Sequence, residues 1–350
     1  MPRLLVLLFA GLMVVPAMGE SLIDQVDSGV NDRTDILAIY KNNQLIYEEY
    51  RNGYEANQKH KLWSMSKSIT SLLFARAVEQ GRIQLNDSIC EYISMIELQS
   101  SDQCNITIEN ILFWRSGVTW AEDYIGFDGS KSSVLTGLYD YGIQDFSKYY
   151  FSLPYSPDIE NNWNYSTGDS HILGYLLKKV YSPMEYDNLP WTELFDPLGI
   201  TDATFERDQT GTFLGGAYVF LSHPNLNRIA QFVMSEIKSP RLLPMGWMNQ
   251  VLEAKDDSIL TVEMIEERVA PAIPGGHWWL NRPTNKSSHI IPWPKAPEEI
   301  FAAFGVFGQM MYIVPSEDIV IIRLAQDIKG GFSKSHFLDV TLKYAREVEL

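Results

Sequence analysis

The sequence predicts an α/β protein of the α+β type. Strands from the two ends of the chain form one antiparallel sheet, flanked by helices and interrupted by a mostly helical insertion. Two observations carry this. Strand-like alternation and β-branched runs cluster near the two ends of the 350 residues, and residues 82–210 read as helices and loops with little alternation. The expected division is a discontinuous α/β domain over 20–62 and 212–350, and a helical domain over 63–211. A site is expected in the cleft between them, where clefts commonly form.

Taken in order, Ile36–Tyr40 and Gln44–Tyr50 read as strands, and Lys41-Asn42-Asn43 between them is turn chemistry, which predicts a hairpin. A polar connector spans 51–62. From Ser64 to Gln80 a helix is expected, apolar over most of its circumference (Ile69, Leu72, Leu73, Phe74, Ala75, Ala77, Val78) and therefore buried. Gly81 is its natural stop. Thr107 opens a helix through Leu112, closed by Ser116-Gly117. Ser166–Val180 places Leu173, Leu176, Leu177 and Val180 on one helical face. Pro190–Thr201 reads as a loop with turn signals. Gly211, Gly215 and Gly216 precede a short apolar run at 217–221. Leu226–Ile237 is expected as a helix, 277–281 as a strand and 283–297 as a Pro-rich loop. Gly308–Val314 and Ile319–Leu324 are expected strands, followed by a closing helix from His336 to Glu349.

Composition narrows the function. A net charge of −16 and 44 acidic residues argue against nucleic acid or another polyanion as partner. Arg3, the apolar run Leu4–Val15 and Ala17-Met18-Gly19 have the layout of a cleavable signal peptide over 1–19, so an exported, periplasmic protein is expected. The run is short for a membrane span, and no later stretch approaches ~18 consecutive apolar residues, so no stable membrane insertion is expected. Cys90 and Cys104 are the two cysteines. In an oxidising compartment they can form one disulfide, and two buried thiols are the other reading. Neither has a metal-ligand spacing. The six histidines show no H-E-x-x-H, and no Walker A or dinucleotide fingerprint is present, so no metal and no cofactor is expected.

Ser64 and Lys67 stand three apart at the start of the buried helix, where i and i+3 share a face. A hydroxyl and an amine so placed form a nucleophile–base pair. Free N–H groups and the positive end of the helix dipole there favour an oxyanion and disfavour a protonated lysine. A second pair, Ser235 and Lys238, lies at the C-terminal end of its helix, where the dipole has the wrong sign. No G-x-S-x-G elbow occurs. Gly168-Asp169-Ser170 lies mid-chain without a late D-x-x-H, which leaves Ser170 little support as a nucleophile.

Trp63-Ser64-Met65-Ser66-Lys67-Ser68 resembles the active-site block of the serine β-lactamase-like, penicillin-recognising hydrolases. The likeness is closest to the class C and 6-aminohexanoate-dimer-hydrolase branch. Further blocks follow in the same order: Ile106–Leu112 with Ser116–Trp120, Asn164-Tyr165-Ser166 with His171–Gly174, Asp196–Ile200, and Gly305–Gln309 with Tyr312–Pro315. The resemblance covers about residues 36–325 and implies a β-lactamase/transpeptidase-like fold. It implies Ser64 as nucleophile, Lys67 as its helix partner, and Tyr165 as the residue that moves the nucleophile's proton and protonates the leaving group. Tyr186 heads the literal Y-x-N triplet but is out of register. The family's Asn is replaced by Thr167. Its K-T-G place falls at Ile300-Phe301-Ala302, with no cation. That weakens β-lactam or D-Ala-peptide substrates and suits an esterase or amidase. Ala303, with Gly305 beside it, is the implied oxyanion partner of Ser64. Trp120, together with Trp163, Trp278 and Trp279, would suit an uncharged or hydrophobic small-molecule ester or amide, core packing being the other reading of these residues. The expected function is an exported serine hydrolase working through an acyl-enzyme. A true β-lactamase or D-Ala-directed peptidase, and a catalytically silent binding protein, are the alternatives.

Overall fold

The computed structural model describes residues 20–27, 29–124, 132–157, 163–255, 272–283, 291–328 and 332–350. The expected signal peptide, 1–19, lies outside them. Seven strands form one antiparallel sheet in the order β2-β1-β10-β9-β8-β7-β6. They are β1 Thr34–Lys41, β2 Gln44–Tyr50, β6 Ile273–Pro274, β7 Trp279–Leu280, β8 Phe301–Gly305, β9 Gln309–Val314 and β10 Ile319–Ala325. The two ends of the chain thus meet inside the sheet, one strand in from the β2 edge, where β1 pairs with β10 from Thr34↔Ala325 to Lys41↔Ile319. Both strands read as near-continuous apolar runs because each is buried along almost its whole length. β2 is the edge, and its partly exposed Glu48 and Glu49 discourage further pairing there. The β1–β2 turn is made by Asn42 and Asn43, both at positive φ (50° and 57°), as a tight two-residue hairpin requires.

A smaller sheet has the order β3-β5-β4, from His60–Lys61, Val219–Leu221 and Thr204–Phe205. It joins segments on both sides of the expected boundaries at 62/63 and 211/212. The helices are α1 Leu22–Val26, α2 Ser66–Glu79, α3 Ile108–Leu112, α4 Ser133–Tyr139, α5 Phe146–Phe151, α6 Thr167–Val180, α7 Pro183–Pro190, α8 His223–Lys238, α9 Trp247–Val251 and α10 Lys334–Glu347. α8 and α10 pack on β1 and β10. α2 packs on α6 and is buried from Ser66 through Ala75. Cys90 and Cys104 are joined as a disulfide.

Two expectations differ from the structure. Residues 190–198 are not a loop: the helical run started by Pro183 continues through a π-turn, Trp191–Phe195, and a 3-10 turn, Asp196–Leu198. Pro190 has no N–H to give to the ladder, and the chain widens just after it. Gly199 then closes the run at φ 68°. The second is β8. Residues 301–305 form a strand between β7 and β9, whereas the sequence pattern marks a strand only from Gly308. Among the described residues no helix is long and apolar enough to cross a membrane.

Candidate active site

Ser64 lies in the 3-10 turn Trp63–Met65, which runs directly into α2. Trp63 sits at φ 49°, a left-handed conformation that bulky residues rarely adopt. The i, i+3 spacing does what the helix geometry requires: Lys67 Nζ lies 2.9 Å from Ser64 Oγ. Lys67 is 1% exposed. It also donates to Thr167 Oγ1 at 2.8 Å and to the carbonyl of Gly216 at 2.8 Å. Burial of its ammonium pulls the Lys67 pKa down to about 8, against the opposing field of the Glu122 carboxylate. Tyr165 completes the group. Its phenol hydrogen-bonds with Ser64, and its ring centroid is 5.0 Å from Lys67 Nζ. Burial and the Glu122 charge push the phenol's pKa up, and the Ser64 bond offsets this only in part.

The polar residues of α2 fix its neighbours as firmly as the apolar ones do. Ser66 Oγ accepts from Val219 N (3.1 Å), Ser68 donates to the carbonyl of His277 (2.7 Å), and Thr70 to that of Gly215 (2.8 Å). These bonds draw the 215–219 and 276–277 loops onto the helix. The approach demands glycine: a Cβ on Gly215 would lie 2.5 Å from Thr70 Oγ1, and one on Gly216 2.8 Å from Thr167 Cγ2.

Nothing in the sequence singles out Glu122 among 44 acidic residues, yet it sits behind the site. Its carboxylate accepts from the backbone N of Thr167 at 3.0 Å, from Tyr124 OH at 2.9 Å, and from Thr167 Oγ1 and Trp120 Nε1. Thr167, standing in the family's Asn place, therefore links Lys67 to Glu122 through one hydroxyl. Trp120 is 5% exposed and lies among Phe146, Tyr149 and Tyr150. It holds Glu122 from the core rather than facing a cleft. Trp278 is also core. The aromatic wall beside Ser64 is instead Tyr165, Trp114 and Trp279, with ring centroids 4.9–5.6 Å apart.

Ser170 is structural. It bonds Nε2 of His277 at 2.8 Å, and His277 Nδ1 bonds the carbonyl of Leu112 at 2.6 Å. Burial keeps that imidazole neutral by lowering its pKa to about 3, so Nδ1 carries the proton and Ser170 donates. Tyr186 is buried and donates to the carbonyl of Gly174. Ala303 lies within β8, 2% exposed and paired with Met311. The end of that strand approaches the start of the Trp63–Met65 turn: a Cβ on Gly305 would lie 2.2 Å from the carbonyl of Leu62. Ser235 bonds its own helix, donating to Phe232.

Residues 23–337 match the family described as Beta-lactamase. The chain belongs to the Beta-lactamase family. A 6-aminohexanoate-dimer hydrolase of Paenarthrobacter ureafaciens is 23% identical over 306 residues, which span 83% of this chain and 72% of the relative. Two solved structures share the fold. A D-stereospecific amidohydrolase from Streptomyces sp. has a TM-score of 0.66 at 11% identity, covering 91% of this chain and 96% of its own. EstCE1, a hydrolase with promiscuous acyltransferase activity, has a TM-score of 0.66 at 14% identity, covering 89% and 92%. Beta-lactamase-family hydrolases with amidase- and esterase-type neighbours are thus the company this chain keeps.

Proposed function

We propose that the chain is a serine hydrolase that cleaves a small-molecule ester or amide through an acyl-enzyme, with Ser64, Lys67 and Tyr165 as its catalytic residues. The observation that carries this is the meeting of a half-buried serine hydroxyl with a fully buried lysine whose pKa is about 8. Neutral Lys67 takes the Ser64 proton as Oγ bonds to the substrate carbonyl. The backbone of Ser64 and the Gly305 end of β8 are the nearest sources of N–H donors for the oxyanion. As the tetrahedral intermediate collapses, Tyr165 gives its proton to the departing oxygen or nitrogen and regains one from Lys67. Water then attacks the acyl-enzyme, losing its proton by the same route, and Ser64 leaves re-protonated. The raised phenol pKa makes Tyr165 a proton donor and shuttle, and leaves the role of base to Lys67. The absence of a lysine at 300–302 favours linear esters and amides over β-lactams.

Labelling with a fluorophosphonate probe tests the reading. An adduct on Ser64 is expected, and Ser64→Ala should lose labelling and lower p-nitrophenyl ester turnover by about 10³-fold or more. Undiminished labelling in Ser64→Ala would remove Ser64 from its role. Absence of any adduct together with no turnover would favour a binding protein. Rapid nitrocefin turnover would restore the β-lactamase alternative.

A further inference from the structure

Lys67 Nζ has three oxygens within hydrogen-bond reach: Ser64 Oγ at 2.9 Å, Thr167 Oγ1 at 2.8 Å and the carbonyl of Gly216 at 2.8 Å. A neutral amine carries two N–H bonds and one lone pair. It can act as a base on Ser64 only if the lone pair faces that oxygen. Which way the amine turns depends on what the other two oxygens are able to do.

A carbonyl only accepts, so the Gly216 oxygen takes one N–H. The same residue is held from its other side, where its backbone N–H donates to Nδ1 of His171 at 2.9 Å. Burial holds the His171 pKa well below the usual imidazole range, and the Lys67 charge acts in the same sense. The ring is therefore neutral, with its proton on Nε2. A hydroxyl such as that of Thr167 can both donate and accept, but its proton is already spent on the carboxylate of Glu122. That carboxylate also takes the backbone N–H of Thr167 at 3.0 Å, the Tyr124 hydroxyl at 2.9 Å and the indole N–H of Trp120. Two of these four donors, the backbone and the indole, cannot reverse their roles. Toward Lys67, Thr167 Oγ1 is left with lone pairs only, and it takes the second N–H.

We infer that Glu122 and Thr167 are positioning residues: by making the threonine hydroxyl an obligate acceptor, they direct the lone pair of neutral Lys67 at the Ser64 proton. This rests on the serine-hydrolase reading of Ser64 and Lys67. The other titratable groups facing Lys67 do not compete for its lone pair. Tyr165 presents its ring, centred 5.0 Å from Nζ, and burial keeps the imidazoles of His171 and His277 neutral. Once Lys67 has taken the proton, the three N–H bonds of the ammonium meet the same three oxygens, so the amine does not have to turn during the transfer.

The pH dependence of fluorophosphonate labelling tests the inference, because its rate reports loss of the Ser64 proton. Thr167→Val removes the hydroxyl at nearly constant volume. Its plateau labelling rate should fall about 10- to 100-fold, the scale of a misdirected base. The half-maximal pH should also move down, because the ammonium loses an acceptor. Thr167→Ser keeps the hydroxyl and should recover most of both. Thr167→Ala gives the same reading if the valine protein does not fold. A purely structural role would lower the folded fraction, read by near-ultraviolet circular dichroism, and leave the half-maximal pH in place. An unmoved half-maximal pH without the hydroxyl, or a loss of rate that Thr167→Ser does not recover, would overturn the inference alone. Failure of the unaltered protein to label at Ser64 would instead overturn the hydrolase reading, and the inference with it.

Discussion

Burial lowers the pKa of Lys67, which lies beside Ser64, to about 8. As the proposed base, Lys67 must be neutral to take the Ser64 proton. The sign is therefore fixed: kcat/KM for a neutral ester should rise roughly tenfold per pH unit below about pH 8 and level off above it. The Glu122 field raises the Lys67 pKa, so Glu122→Gln should move this limb to lower pH. It should also lower the plateau, because Thr167 loses its carboxylate acceptor. A pH–rate profile that did not move in Glu122→Gln would place that carboxylate outside the relay. Lys67 itself was legible from its spacing to Ser64. Glu122 was not, because its place depends on a loop that returns to α6 at Thr167, 45 residues further on, and nothing local marks it.

At the scale of elements, legibility followed the strength of the local pattern. The β1–β2 hairpin, α2 and α6 were readable because their apolar period, caps and turn residues agree. Ser166, for example, caps α6 by accepting from Asp169 N. The 190–198 run misled because proline and glycine signals mark a helix end as readily as a loop. β8 was hidden because its five residues, Phe-Ala-Ala-Phe-Gly, alternate in no way and are strand only by pairing with β7 and β9. The glycine pair at 215–216 carries the next prediction. In Gly216→Ala the new methyl meets Thr167 and the His171 ring. It should destabilise the fold by about 1–3 kcal/mol in urea unfolding and displace the carbonyl that holds Lys67. Ester turnover should therefore fall more than folded population does. Equal losses would show that the carbonyl has no positioning role.

For the whole molecule, the pairing of β1 with β10 means that the sheet cannot close until nearly all of the chain is present. Contacts so distant in sequence are slow to form. The turn that carries Ser64 depends on that closure through Gly305 and Phe307, and Asp327 N in turn donates to the carbonyl of Phe307. On refolding from urea, fluorophosphonate labelling of Ser64 should return with the same rate constant as near-ultraviolet circular dichroism, and later than α-helical signal. Labelling that preceded the near-ultraviolet signal would mean that the helical part assembles its site alone. The disulfide has a practical consequence of its own. With Cys90 and Cys104 joined, the oxidised protein offers no free thiol. Phe307→Cys, at an exposed position edge-on to the Trp63 ring, would give a maleimide dye its sole target, with no native cysteine to remove. A fluorophore there would report directly on what enters beside Ser64.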